Sequence, residues 1–202
     1  MKPGTTLYFI RHGQTGWNKS RRIQGQIDSD LNDTGRQQAA RNGRTLKDLG
    51  LMLSTIDFVA SPLRRTSETM EIVRENAGLP RSGFRTDDRL KEIHFGTWQG
   101  EYWPDVPTVD PVGHADRSAD PFNWRPETGE SYADLTARCA VWFEELQRDT
   151  VCVSHGGVSR VLRGHVSPEI TPAEVTELSV PQDKILVFRA AETGVRATFE
   201  WV

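Results

Sequence analysis

The sequence predicts an α/β protein: a three-layer α/β/α sandwich with a mostly parallel central sheet and an antiparallel edge strand. Three observations predict it. Short apolar runs rich in β-branched and aromatic residues alternate with segments of helical spacing, as strand–helix–strand units do. Two runs, Leu7-Tyr8-Phe9-Ile10 and Val151-Cys152-Val153, are apolar without alternation, as strands covered on both faces are. Two final runs, residues 184–190 and 195–201, are joined at Glu192-Thr193-Gly194, which is short enough for an antiparallel pair.

The first strand stops on Arg11-His12-Gly13, and residues 12 to 30, with little periodicity, read as a loop. Asn32 is a plausible N-cap, with Thr34 and Gln37 as an alternative capping box. The helix it opens runs to about Leu49 and stops at Gly50, with Ala39, Gly43, Leu46 and Leu49 on its buried side. Residues 58–60 are the second strand. Ser61 as N-cap and Pro62 as first residue open a helix to about Asn76, with apolar contacts from Met70, Ile72 and Val73. Residues 84–88 are a short strand leading to Leu90. Residues 101–128, with five prolines, several acids and Tyr102, Trp103, Phe122 and Trp124, read as an irregular insertion. Ser131, with Asp134 three residues on, caps a helix whose stripe is Leu135, Cys139, Trp142 and Leu146. A strand at 151–154 and a helix at 156–166 follow.

Composition bounds the rest. The 202 residues suit a single domain, 1–202, with the insertion inside it. Lysine and arginine total 25 against 28 acids, a net charge of −3, which gives no support for a nucleic-acid partner. Cys139 and Cys152 read as core thiols in a reducing compartment. No apolar run approaches the roughly 20 residues of a membrane span, and no signal-peptide core precedes the first strand. A cytoplasmic protein with no membrane partner is expected. The exposed terminal strand is a surface on which a homodimer could form.

The chemistry concentrates at strand ends. Val153-Ser154-His155-Gly156-Gly157 repeats the design of Ile10-Arg11-His12-Gly13: apolar strand, histidine, glycine. In a parallel sheet, ligands bind beyond the carboxyl ends of strands, so two imidazoles can meet in one crevice. Arg64 and Arg65 fall in a first helical turn, where cations oppose the helix dipole and a bound anion offsets the cost. Glu92 lies beside Phe95 and Trp98, apolar neighbours that would disfavour its ionised form and suit it to act as an acid.

Arg11-His12-Gly13-Gln14-Thr15 with Trp17-Asn18 resembles the signature of the histidine phosphatase superfamily, the phosphoglycerate mutase-like proteins. The resemblance continues through Gln24-Gly25, Leu31-Asn32-Asp33-Thr34-Gly35 with Gln38-Ala39, and Ser61-Pro62-Leu63-Arg64-Arg65 with Thr69. Residues 90–100, Gly129-Glu130-Ser131 and Ser154-His155-Gly156-Gly157 complete it, six segments in order. One departure is Asp30, where the family usually carries proline. The resemblance implies a metal-independent phosphomonoesterase acting through a phosphohistidine on His12. Arg11, Arg65 and His155 would hold the phosphoryl group, and Glu92 would act as acid and base. Asn18, Gln24, Gly25 and Gly156 would contact the substrate, a small phosphorylated metabolite. It implies no cofactor and no metal, and an insertion at 101–128 that covers the site and helps choose the substrate.

Three alternatives stand beside this reading, and the first shares all of these residues. A mutase would return the phosphoryl group to a second hydroxyl. Only 37 residues separate Glu92 from Glu130, against the longer insertion typical of such mutases. A non-catalytic phosphate-binding module would lack the nucleophile or the acid. A zinc hydrolase using His12, His155 and Glu92 is chemically possible, but Arg11 beside one ligand would repel the ion.

Overall fold

A computed structural model describes residues 1–191 and 197–202. It contains β1 (Thr6–Arg11), α1 (Gly16–Lys19), α2 (Asp33–Asp48), β2 (Asp57–Ala60), α3 (Arg64–Asn76) and β3 (Arg85–Thr86). Then come α4 (Val106–Val109), α5 (Pro111–Ala119), α6 (Tyr132–Glu144), β4 (Thr150–Ser154), α7 (Gly156–Val166), α8 (Pro172–Glu177), β5 (Ile185–Ala190) and β6 (Ala197–Trp201). The six strands lie in the order β3-β2-β4-β1-β5-β6. The first four are parallel, and β5 and β6 are added antiparallel at one edge. The connection expected at Glu192-Thr193-Gly194, and Val195 at the start of the last expected strand, lie outside the described residues.

Period-two alternation builds the three layers. Leu7, Phe9, Cys152, Leu186 and Phe188 face one side and pack on α6 and α7 through Leu135, Cys139, Trp142, Val158 and Leu162. Tyr8, Ile10, Val151, Val153 and Val187 face the other and pack on α2 and α3 through Ala39, Leu46, Met70 and Val73. The central strands therefore bury both faces, which is why their sequences show no polar alternation. Cys139 and Cys152 are free, buried thiols, Cys139 pushed by burial up to about 12.

Local chemistry explains the helix ends. Asn32 caps α2 by accepting from the Gly35 N–H at 2.8 Å, and Ser131 with Asp134 forms a capping box on α6. Four expectations need correction. Pro62 is not helical: α3 begins at Arg64 with Leu63 as N-cap. Ser61 is drawn away to His155, and the free Arg64 N–H donates instead to Asp28 Oδ1 at 2.8 Å. The loop at 12–30 contains the one-turn helix α1, closed by a Thr15/Asn18 capping box. Leu49 is 38% exposed, and Asn42 takes its place on the buried side of α2. Residues 101–128 are largely helical, because the prolines open helices rather than break them. Pro107 and Pro111 occupy the first turns of α4 and α5, and Asp110 caps α5 through the Gly113 N–H. Among the described residues, no helix is long and apolar enough to cross a membrane.

Gly43 sits where α2 crosses α3, and a Cβ there would stand 2.4 Å from the Val73 carbonyl oxygen. Gly43→Ala should therefore lower stability by about 1–3 kcal/mol through overpacking, outweighing the roughly 1 kcal/mol that alanine gains in helix propensity. Urea denaturation checks this; a higher midpoint for the variant would contradict so close a crossing.

Candidate active site

Strand register brings the two histidines together. Arg11 on β1 is paired with Ser154 on β4, and the next backbone contact runs from the His12 N–H to the Ser154 carbonyl at 2.9 Å. His12 and His155 each follow the end of their strand, and their ring centroids lie 5.2 Å apart. Ser61 follows β2 on the other side of β4, and its Oγ meets His155 Nε2 at 2.8 Å. Three adjacent carboxyl ends thus supply one corner, as the parallel sheet predicts.

Hydrogen bonding fixes the ring tautomers. His12 Nδ1 lies 2.8 Å from the Gly13 carbonyl oxygen, which can only accept, so Nδ1 carries the proton and Nε2 keeps its lone pair. Burial, then the charges of Arg65 and Arg11, hold the His12 pKa well below the ordinary imidazole value, so the ring is neutral. His155 is shifted the same way by burial, Arg65 and His12. The Ser61 hydroxyl accepts a long 3.4 Å contact from the Leu63 N–H and can donate to His155 Nε2, which leaves His155 Nδ1–H as a donor.

The two arginines are held chiefly by backbone carbonyls. Arg65 is 0% exposed, and its Nη1 and Nη2 donate to the carbonyls of Ile27 (2.8 Å) and Gly25 (2.7 Å). Asp28 is its nearest recorded carboxylate partner, at 3.8 Å and itself half-exposed. Arg11 Nη1 donates to the Val180 carbonyl at 2.8 Å. Burial lowers both pKa values, Arg65 to about 10, and both remain cationic at neutral pH. Arg11 Nε, Arg65 Nε and His155 Nδ1 are buried polar atoms with no hydrogen-bond partner among the described residues. Arg11 and Arg65 line one cavity, and an unpaired guanidinium donor on each fits an anion better than a resting protein interior. Arg64 points away, pairing on the surface with Asp30 at 3.2 Å, so the aspartate that replaces the family's proline ties its loop to α3.

A cavity of about 200 Å³ lies at this corner, lined by Arg11, His12, Asn18, Gln24, Gly25, Arg65, Glu92 and Gly156 among others. His155 stands behind His12, fully buried. Asn18 Oδ1 accepts from the Thr15 N–H and from Gln182, and Gln24 Oε1 accepts from Thr15 and Ser29. Both amides therefore present their NH₂ groups as the donors left for the cavity. Gly25 has φ +51°, and a Cβ there would collide with the Gln99 side chain at 2.1 Å.

Glu92 stands in a polar setting, which corrects the apolar one expected. Its Oε1 accepts from the N–H groups of Ile93 and Gly157, each at 3.0 Å, at the start of α7. Its carbonyl accepts from Arg138 Nη2 at 2.9 Å and Gln26 Nε2 at 3.0 Å. Trp98 turns elsewhere, donating its indole N–H to Asp110 at 2.8 Å and packing on Trp124. His94 accepts from the Gly96 N–H at 3.0 Å and does not line the cavity. Among the described residues, no group of three or more histidine, cysteine, aspartate or glutamate side chains is arranged to hold a metal ion.

Two contributions escape the sequence reading. Arg160 lines the cavity from α7, four residues after Gly156 and so on the same helical face. The segment 178–182 is a carbonyl platform: Leu178 accepts from Arg160, Ser179 from Arg163 and Val180 from Arg11. Gln182 in the same segment donates to the His12 carbonyl at 2.9 Å. Only the i, i+4 spacing of Arg160 is a sequence signal; backbone acceptors leave none.

A sequence model of the histidine phosphatase superfamily (branch 1) matches residues 7–199. The chain is 35% identical over 168 residues to a glucosyl-3-phosphoglycerate phosphatase of Mycolicibacterium vanbaalenii, covering 77% of this chain and 71% of that one. It is 29% identical over 182 residues to a metal-independent phosphoserine phosphatase of Arabidopsis thaliana, covering 87% and 74%. The structure of a mycobacterial glucosyl-3-phosphoglycerate phosphatase complexed with VO3 superposes with a TM-score of 0.79 at 29% identity over 97% of each chain. With a match spanning nearly its whole length, and with the paired imidazoles and buried guanidiniums in place, this chain belongs to branch 1 of the histidine phosphatase superfamily.

Proposed function

We propose that the protein is a phosphomonoesterase that passes a phosphoryl group to water through a phosphohistidine on His12. The observation that carries this reading is the neutral His12 ring. Its Nδ1–H is committed to the Gly13 carbonyl, and burial with the nearby charges of Arg65 and Arg11 keeps the ring neutral and its Nε2 lone pair free. The names of the relatives support a small phosphorylated metabolite as substrate.

The reaction follows in two halves. Arg11 and Arg65 hold the phosphoryl oxygens, with the amides of Asn18 and Gln24 and the backbone at Gly25 and Gly156 completing the cradle, and His155, behind His12 with its Nδ1–H unpaired, is the further donor. The His12 Nε2 lone pair attacks phosphorus in line, and the bond from phosphorus to the ester oxygen breaks. Glu92, the carboxyl group that lines the cavity, is placed to pass a proton to that leaving oxygen. As a carboxylate it then takes a proton from water, the water oxygen attacks phosphorus, the P–N bond breaks and inorganic phosphate leaves. A preorganised donor contributes on the order of 3–4 kcal/mol to such a step. The guanidiniums supply the positive charge that a metal supplies elsewhere.

His12→Ala should lower kcat on a phosphomonoester by at least about 10⁴-fold while circular dichroism and melting stay near wild type. The panel is a set of sugar phosphates, phosphoglycerates, nucleotides and p-nitrophenyl phosphate, with 3-phosphoglycerate isomerisation assayed beside phosphate release. A variant retaining a tenth of the wild-type rate removes His12 from the chemistry, and isomerisation outrunning release makes the protein a mutase.

The ring environments give a second expectation. In nitrogen-resolved NMR, His12 and His155 should stay neutral, with the proton on Nδ1, as pH falls through about 6. Because the unfolded rings take up protons first, at about 6.5, these two groups make stability fall as pH drops below that value. Either ring titrating at its ordinary value would contradict the buried cationic setting.

A further inference from the structure

Asn42 is a buried amide that the reaction does not touch. It is 1% exposed on the buried side of α2, between Ala39 and Leu46. Its Nδ2 donates to the Gln182 backbone carbonyl at 3.0 Å, and its Oδ1 has no hydrogen-bond partner among the described residues. An unpaired buried acceptor costs more than one neutral hydrogen bond returns. Stability alone therefore does not account for an asparagine here, where an apolar side chain would leave nothing unpaired.

Gln182, which Asn42 holds, reaches two groups of the site. Its Nε2 donates to the His12 carbonyl at 2.9 Å and to Asn18 Oδ1 at 3.2 Å. Both partners are acceptors, and the backbone carbonyl can be nothing else, so the Gln182 NH₂ group is the one turned towards them. Asn18 Oδ1 also accepts from the Thr15 N–H at 3.1 Å. That second bond is local to the cap of α1. The bond from Gln182 spans 164 residues and ties α1 to the rim of the sheet. α1 is four residues long and has no buried residue, so little packing fixes its place. Asn18 lines the cavity, whereas Gln182 and Asn42 do not.

We propose that Asn42 and Gln182 are a pair of positioning residues: from the core side of α2 they fix the Asn18 amide so that its NH₂ group meets an oxygen of the bound phosphoryl group. This rests on the phosphatase reading above. Neither residue is catalytic, since each acts through Asn18 and touches no reacting atom.

The test reads affinity against stability. Turnover of p-nitrophenyl phosphate gives KM and kcat, and its inhibition by inorganic phosphate gives Ki. Gln182→Met keeps the length of the side chain and removes its donor. It should raise KM and Ki about three- to tenfold with kcat within about twofold, the scale of one hydrogen bond. Asn42→Ala removes the anchor and the unpaired oxygen together. It should raise both constants at least about twofold while Tm stays at or above wild type, and it keeps the test open if Gln182→Met does not fold. Asn18→Ala should also raise both constants, and adding Gln182→Met to it should raise them less than about twofold further. Constants unchanged in either single variant, or effects of Gln182→Met and Asn18→Ala that multiply in full, overturn the assignment. Wild-type turnover separates the two readings. Its presence with constants unchanged in the variants overturns this assignment alone, and its absence overturns the phosphatase reading and this one with it.

Discussion

The structure depends on the parallel register between β1 and β4. Pairing Arg11 with Ser154 sends His12 and His155 out of the sheet side by side, from residues 143 positions apart in sequence. A slip of one residue would turn Leu7, Phe9 and Cys152 towards the wrong helices, because side chains alternate between faces. The core therefore enforces the register, and the register aligns the two rings. The pairs of apolar layers on either side of the sheet do more than stabilise the fold: they fix the relative height of two polar residues at its rim.

A second constraint is electrostatic. Burying a guanidinium costs several kcal/mol in desolvation unless its donors are met. Here they are met by backbone carbonyls, those of Gly25 and Ile27 for Arg65 and of Val180 for Arg11. The recorded carboxylate pairing of Arg65, with Asp28 at 3.8 Å, is long and half-exposed, so carbonyls hold the fork more closely than a carboxylate does. Carbonyl partners hold the Nη donors, leave each Nε unpaired and keep the charge, and that charge reinforces burial in holding His12 neutral. The loop that carries Gly25 and Ile27 and the segment from Leu178 to Gln182 are thus as much a part of the site as the side chains they hold. They are irregular because each must turn carbonyls inward rather than along a strand or helix.

The legibility of this arrangement in the sequence divides along the same line. The strands, the long helices, the caps at Asn32 and Ser131, and the convergence of His12 with His155 followed from apolar patterning and from repeated strand-histidine-glycine endings. Those signals are local and carried by side chains. What escaped was carried by backbone or by distance. The α3 cap comes from Asp28, 36 residues upstream of Arg64. The setting of Glu92 depends on the Gly157 N–H, 65 residues away. Prolines at 107 and 111 make residues 101–128 look irregular in sequence, although the first turn of a helix has no use for their missing N–H. Carbonyl acceptors at 178–182 carry no residue-type signature, so Arg160 could be placed on the Gly156 face but not in the cavity.

The account stands on covalent participation by the first imidazole. Rapid acid-free quenching of the protein during turnover of a phosphomonoester, followed by peptide mass spectrometry, measures it most directly. The prediction is an acid-labile phosphoryl group on His12, formed and lost at rates that support turnover. Steady turnover with no phosphoryl group on that ring, or with one on another residue, would contradict it.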